Sequence, residues 1–346
     1  QGVRRCGKST LLRQLAQREQ IEERAIFFNF EDPRLSEMLN YELLEAVVQY
    51  QERQFPKKKC FFFFDEIQNV VNWEKWLHVQ LEKNKHSFIV TGSNSTLLSG
   101  KLGTALTGRH YTIELFPFSF NEYKKIHPTK DFETYLDDGG FPRTLTFEKP
   151  KELLREYFQD IIERDVRKNV AARSTQNLQQ IAKAIYETAG SETSYRNIAK
   201  AFESPPDTIK SYVDAFEYAY LCLSCPYYTF SERKSVVRAK KYYPIDLWLR
   251  AAVTTRTGLD SGKKLETVVF HFLRKKFKKV YYWRDKGEVD FVVESENGIQ
   301  PIQVSWDGLK PRHMKSLEEF KRAHPRSLSP IFVSRENIED FLVENT

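Results

Sequence analysis

The sequence predicts an α/β protein: a parallel sheet covered on both faces at the N-terminal end, a helical middle, and a second α/β unit at the C-terminal end. Three observations carry this reading. Cys60 to Phe64 is a continuous apolar run closed by two acids, as expected of a strand buried on both faces. Ser87 to Asn94 is a second apolar stretch that ends in small polar residues. Leu11, Leu12 and Leu15 mark the buried side of a helix directly behind a glycine-containing opening. A length of 346 residues favours more than one domain. The reading divides the chain at 1–125, 126–172, 173–235 and 236–346.

Composition narrows the classes. The chain is 40% hydrophobic and 14% aromatic, ample for packed cores. No run of about 18 apolar residues is present, so no membrane-spanning helix is expected. The net charge of +7 is compatible with a nucleic-acid partner and equally with an ordinary solvated surface. Four cysteines in so long a chain point to a reducing, cytoplasmic setting. Cys222 and Cys225 form one CxxC without the second pair a zinc site needs. Two small apolar residues on a buried segment is the plainer reading, against a redox dithiol.

The opening, "GVRRCGKST", places Gly2 five residues before Gly7, with Lys8 and Ser9 following. Glycines at that spacing let backbone N–H groups close around a triphosphate. Lys8 can reach the outer phosphates and the Ser9 hydroxyl can ligate Mg. The N-terminus of the following helix adds a positive dipole end. The expected nucleotide-binding set is therefore Gly2, Val3, Arg4, Arg5, Cys6, Gly7, Lys8, Ser9 and Thr10, with ATP and Mg as ligands. A loop of this kind follows a buried strand, and only Gln1 precedes Gly2, so a strand is expected upstream of the sequence given.

Asp65 and Glu66 stand at the end of the apolar run. A carboxylate there can hold the hydration shell of Mg, the role expected of Asp65. Its neighbour Glu66 can orient and deprotonate an attacking water. Capping of a strand by two acids is the alternative. Ser93 and Asn94 close the next strand on the side where a parallel sheet presents its ligand crevice. There they can bond a γ-phosphate or the water, or merely form a turn. Arg109 precedes a further expected strand, Tyr111 to Leu115, and can serve a neighbouring subunit as an arginine finger. That role would make the chain a homo-oligomer, whereas a surface arginine would not.

Taken in order, "GVRRCGKSTLL", "FFNFEDPRL", "FFFFDEIQNVVNWEKWL", "IVTGSNSTLLSG", "LTGRHYTIELFPFSFNEY" and "GGFPR" resemble prokaryotic AAA-type P-loop ATPases. Members of that group carry a C-terminal domain of unknown function with a restriction-endonuclease-like fold. The resemblance runs over nearly the whole chain. It implies an AAA-type α/β core, a winged-helix-like region and a terminal α/β domain. It also implies that Lys8 binds phosphate, that Asp65 and Glu66 hold Mg and activate water, and that Ser93 or Asn94 is the polar sensor. Gly139 to Pro142 would lie near the nucleotide base.

Residues 150–170 carry apolar positions at helical spacing and read as a connecting helix. "SYRNIAKAF" followed by "SPPDTIKSYVDAF" reads as a helix-turn-helix, with Pro206 and Asp207 suited to the second helix start. Its opening residues Asp207, Thr208, Lys210 and Ser211 hold one base, a poor match to a phosphate-facing recognition helix. "SVVRAKKYYPIDLWLRAAV" reads as a strand, a turn at Asp246 and a helix start.

Further on, Glu266 lies on a helix, Asp290 on a strand and Gln303 on the next strand. This order resembles a metal-dependent nuclease pattern, in which carboxylates hold Mg and a lysine two residues after the last member orients water. Ser305 stands where that lysine belongs. Lys240, Lys241 and Lys286 are the lysines that would have to supply the charge from elsewhere, and nuclease activity is not expected. The basic run Arg274 to Lys279 is the wet end of a helix or a nucleic-acid surface. The leading expectation is an ATPase that couples its cycle to the C-terminal half, with a protein partner not identified by sequence. The alternatives are a nucleotide-gated DNA-binding protein or nuclease, and a nucleotide-dependent scaffold with little turnover.

Overall fold

Four consecutive phenylalanines organise the N-terminal unit. The computed structural model describes residues 1–93, 109–170, 172, 174–255 and 261–344. The chain divides into two compact units, Gln1–Leu115 with Tyr218–Tyr220, and Phe116–Glu217 with Leu221–Thr346. In the first unit, strands β1 (Ala25–Asn29), β2 (Phe61–Asp65) and β3 (Ser87–Val90) form a parallel sheet in that order. Phe63 of β2 is level with Phe27 on one side and Ile89 on the other.

Side chains alternate across a strand, so the phenylalanines of β2 serve both faces. Phe62 and Phe64 pack with Leu44 and Val48 of helix α2 (Tyr41–Gln54) and with Trp73, Trp76 and Leu77 of α3 (Trp73–Lys83). Phe63 points the other way, onto Leu12 and Ala16 of α1 (Lys8–Arg18). Phe62, Phe63 and Phe64 are fully buried, each contributing about 1.5–3 kcal/mol of transfer free energy. The strand expected at Tyr111–Leu115 is not formed. Among the described residues this segment meets Gln1, which donates to the Ile113 carbonyl (2.8 Å) and accepts from the Leu115 N–H (2.7 Å). One bridge does not propagate into a ladder, and Tyr111 and Ile113 stay exposed.

The second unit begins with α4 (Phe120–Ile126), opened by a capping box between Ser119 and Glu122, and α5 (Phe132–Asp138), capped by Asp131. Helix α6 (Pro150–Asp160) runs into a π-helical turn, Ile161–Val166. Helices α7 (Thr175–Glu187), α8 (Tyr195–Ala201) and α9 (Pro206–Tyr218) follow, the first two capped by Ser174 and Ser194. Strand β4 (Cys222–Cys225) pairs antiparallel with β5 (Lys241–Pro244). Between them lies helix α10 (Glu232–Val237), so the first part of the expected strand at Ser235–Val237 is helical instead, started by the Ser231 hydroxyl. Cys222 and Cys225 are buried free thiols, both pushed up by burial, which fits two small core residues.

Helix α11 (Leu247–Val253), capped by Asp246, precedes α12 (Ser261–Lys276). Strands β6 (Tyr281–Arg284), β7 (Glu288–Ser295), β8 (Gly298–Val304) and β9 (Ile331–Val333) form a four-stranded sheet in that order. The first two pairings are antiparallel and β8 to β9 is parallel. Helix α13 (Pro311–Ala323) bridges β8 and β9, and α14 (Ile338–Glu344) closes the described chain. Among the described residues no helix is long and apolar enough to cross a membrane.

Candidate functional site

The opening loop turns on two left-handed residues, Arg5 (φ 71°) and Gly7 (φ 102°), immediately before α1. Gly2 is required for close approach, since a Cβ there would lie 2.1 Å from the Leu115 carbonyl oxygen. Val3 and Cys6 are buried, and Arg4 reaches out to Glu31 at 2.7 Å. Burial pushes the Cys6 thiol up, away from reactivity. No side chain caps the start of α1, and its own first turn holds no acid, which leaves the positive end of the helix without a carboxylate from the helix itself.

Lys8 turns its ammonium back into the loop, donating to the carbonyls of Gly2 (3.0 Å) and Val3 (3.1 Å). It also lies 3.7 Å from Glu66 Oε1. The Ser9 hydroxyl donates to Asp65 Oδ2 at 2.5 Å. The structure thus brings Lys8, Ser9, Asp65 and Glu66 together, although 56 residues separate Ser9 from Asp65. Thr10 is exposed on the first turn of α1.

Glu66 itself sits in the left-handed region (φ 55°), which rotates its carboxylate off the strand line. Its Oε2 accepts from Gln68 Nε2 (2.5 Å) and from the Ser93 N–H (3.3 Å). Two donors on one oxygen leave Oε1 on the Lys8 side. Ser93 therefore touches the acid pair through its backbone, and Asn94 lies outside the described residues. Arg109 is half exposed and pairs with Glu82 of α3 at 3.3 Å.

Sequence reasoning missed Thr91 and Gln68. The Thr91 hydroxyl donates to Asp65 Oδ1 and accepts from the Glu66 N–H at 3.3 Å. The contact follows from strand register, which the sequence alone does not show: Phe64 pairs with Val90, which sets Thr91 level with Asp65.

Glu266, Asp290 and Gln303 also come together, at the floor of a pocket of about 600 Å³ that reaches Lys263, Trp306 and Lys310. Asp290 Oδ2 accepts from the Val304 N–H (2.8 Å) and from the Gln303 amide. Glu266 Oε1 accepts from Tyr243 (2.7 Å) and Oε2 from Lys263 (2.9 Å). Of the three lysines considered as charge donors, Lys241 is the one that meets this cluster, 3.7 Å from Glu266. Lys240 pairs with Glu217 instead. Burial, then the nearby Glu266 charge, pushes Asp290 up to about 7. Burial also opposes the charge on Glu266, but Lys241 and then Lys263 bring its pKa below the usual value.

Gly139 and Gly140 are held by packing. A Cβ on Gly139 (φ 68°) would meet Trp248 and Asp246, and one on Gly140 would lie 2.3 Å from the Phe118 carbonyl oxygen. The Gly140 N–H donates to Asp246 at 2.7 Å. An apolar pocket of about 430 Å³ beside them contains Asp246 and His271. His271 Nε2 donates to the Pro244 carbonyl at 2.8 Å, and burial pulls its pKa down to about 4. In the basic run, Arg274 bonds the carbonyls of Phe277 and Lys278, and Lys275 pairs with Glu122 at 2.9 Å. These cations complete a helix end and an ion pair.

Comparison with known proteins divides along the chain. Residues 1–124 match a family described as an AAA domain. Residues 129–261 and 261–344 match two families described as domains of unknown function (DUF8612 and DUF4143). An uncharacterized protein of Haemophilus influenzae is 27% identical over 326 residues, spanning 88% of this chain and 81% of the relative. An uncharacterized protein of Methanocaldococcus jannaschii is 29% identical over 351 residues, spanning 93% and 77%. Among solved structures, the Aeropyrum pernix Orc1 protein in complex with DNA aligns with 73% of this chain and 84% of its own, at 11% identity and a TM-score of 0.34. The AAA-domain match supports an AAA-type P-loop domain at the N-terminal end, and with it nucleotide binding.

Proposed function

We propose that the chain binds Mg-ATP at the Gly2–Thr10 loop, hydrolyses it, and couples that cycle to its C-terminal half. The observation that carries the reading is the convergence of Lys8, Ser9, Asp65 and Glu66 at one end of the parallel sheet. The Ser9 hydroxyl and the Asp65 carboxylate, 2.5 Å apart, form an oxygen pair suited to Mg and its water shell. The ion, when bound, offsets the charge of the phosphates. Lys8 is held by two neutral carbonyls, which it can exchange for phosphate oxygens at little cost. Glu66, fixed through Oε2 by Gln68 and Ser93, presents Oε1 as the base for an attacking water. Arg109 is the arginine-finger candidate, for the phosphates of its own chain or of a neighbouring subunit; either role requires it to leave Glu82.

Intact Asp65 and Glu66 favour turnover over a scaffold role. Winged-helix packing of α7–α9 and a restriction-endonuclease-like fold around β6–β9 belong to the same proposal, as do the domain limits at 125, 172 and 235. Helix α9 presents Asp207 in its first turn, which favours packing against protein over reading DNA.

The test is ATP hydrolysis and nucleotide affinity of the wild type, Lys8→Ala and Glu66→Gln, with and without duplex DNA. Lys8→Ala is expected to lose binding. Glu66→Gln is expected to keep binding and lose turnover by about 10²–10⁴-fold. Wild-type affinity in Lys8→Ala, or unchanged hydrolysis in Glu66→Gln, would overturn the assignment. Several-fold stimulation by DNA would favour nucleic acid as the partner of the coupled half, and indifference would favour a protein partner or a switch between domains.

A further inference from the structure

The acid cluster of the second unit contains a cation that the nuclease-like pattern does not. Lys241, the first residue of β5, has a side chain 1% exposed. Its ammonium forms a close ion pair with Glu288 and lies 3.7 Å from Glu266 Oε1. Other oxygens of the cluster are also engaged, whereas Gln303 Oε1 is buried without a hydrogen-bond partner among the described residues. Glu266 is held by Tyr243 and Lys263, and Asp290 Oδ2 by Val304 and Gln303. Lys263 is itself anchored to the Gly190 carbonyl at 2.9 Å.

We propose that Lys241 is the resident cation of this cluster: its buried ammonium supplies, from behind the pocket, the positive charge a divalent ion would bring to Glu266, so the pocket works without Mg or Mn. A divalent ion asks for about six oxygen ligands and a surplus of negative charge. Here two buried or half-buried lysines already face Glu266, and a dication beside them would meet their repulsion in a low-dielectric setting. Among the described residues no three His, Cys, Asp or Glu side chains are grouped to hold a metal ion. The alternative, that Lys241 stands in for the lysine missing at Ser305 and orients water, requires its ammonium on the open side. It is absent from the residues that line the pocket, and its charge is spent on two carboxylates.

The experiment measures Mn²⁺ uptake by electron paramagnetic resonance on the nucleotide-free full chain. Wild type, Asp290→Asn, Lys241→Met and the Lys241→Met/Asp290→Asn double variant are compared, so that any ion at the N-terminal loop is common to all four. Wild type and Asp290→Asn are expected to bind equal amounts. Lys241→Met is expected to gain one Mn²⁺ per chain and to lose it again in the double variant. A wild type that binds one Mn²⁺ more than Asp290→Asn overturns the proposal, as does a folded Lys241→Met that gains none. Should Lys241→Met fail to fold, the pair wild type and Asp290→Asn decides: equality supports the resident lysine and a difference of one ion overturns it.

Discussion

Each unit builds a site from a buried lysine and acids at strand positions, and the two lysines are held in opposite ways. Lys8 is bound by two backbone carbonyls and has one glutamate at 3.7 Å. Lys241 is bound by one glutamate in close contact, a second at 3.7 Å, and Asp290 nearby. Burial works against the Lys241 charge, yet Glu266, Asp290 and Glu288 more than offset it, so its pKa is raised. A lysine that leaves neutral carbonyls for a phosphate gives up hydrogen bonds rather than a close ion pair, and Lys8 has only Glu66, at 3.7 Å, as an opposite charge to draw away from. Removing one from buried carboxylates leaves them unpaired, at a cost of several kcal/mol. The contrast separates a site poised for an arriving anion from one whose charge is already settled.

Removing each lysine is the strongest way to break this comparison. Lys241→Met should destabilise the second unit by about 3–5 kcal/mol, because it strands buried acids. Lys8→Met should cost about 1–2 kcal/mol, the loss of hydrogen bonds to the Gly2 and Val3 carbonyls, the second of which also accepts from the Cys6 N–H. Denaturant unfolding of the two variants measures both. Equal effects would mean that the lysines are held alike.

The same contrast explains what was legible in the sequence. Lys8, Ser9, Asp65 and Glu66 could be read because their chemistry depends on short-range spacing around a tight loop and on an apolar strand that announces its own end. Cys60–Phe64 needed no partner to be recognised as a doubly buried strand. Thr91 was not legible as a partner of Asp65, because that contact depends on register between β2 and β3, which a single chain does not display. Lys241 was visible only as one of three lysines. What places it against Glu266 is the pairing of β5 with β4 and the packing of α12, contacts between segments far apart in sequence. The strand expected at Tyr111–Leu115 shows the same dependence on a partner: strand formation needs a neighbour along its length, and among the described residues Gln1 supplies one bridge.

Glycines sharpen the comparison at a smaller scale. Gly2→Ala would drive a Cβ into the Leu115 carbonyl, a backbone atom that cannot swing away. Nucleotide affinity should fall at least about tenfold, the equivalent of about 1.4 kcal/mol. Gly190 (φ 70°) lies in the second unit, where a Cβ would meet the side-chain ends of Glu266 and Lys263 rather than backbone. Gly190→Ala should cost about 1–2 kcal/mol of stability, mainly for its left-handed backbone, and leave nucleotide affinity unchanged. Titration of a fluorescent nucleotide, with unfolding measured alongside, separates the two. A loss of affinity in Gly190→Ala would show that the sites are not independent.

The smallest effect is expected where each central aspartate is held by a neighbouring strand. Asp65 receives the hydroxyls of Ser9 and Thr91, both able to rotate, whereas Asp290 receives a rigid backbone N–H and the Gln303 amide. Thr91→Val keeps the shape and removes one rotating donor, so it should slow ATP turnover about fivefold, near 1 kcal/mol, and leave nucleotide affinity within a factor of about three. Gln303→Leu removes the corresponding donor from Asp290 and should lower stability by about 1 kcal/mol with no change in turnover. Turnover unaffected by Thr91→Val would mean that Asp65 is positioned by Ser9 alone, and the β3 side would then contribute to the acid pair only through the Ser93 N–H on Glu66.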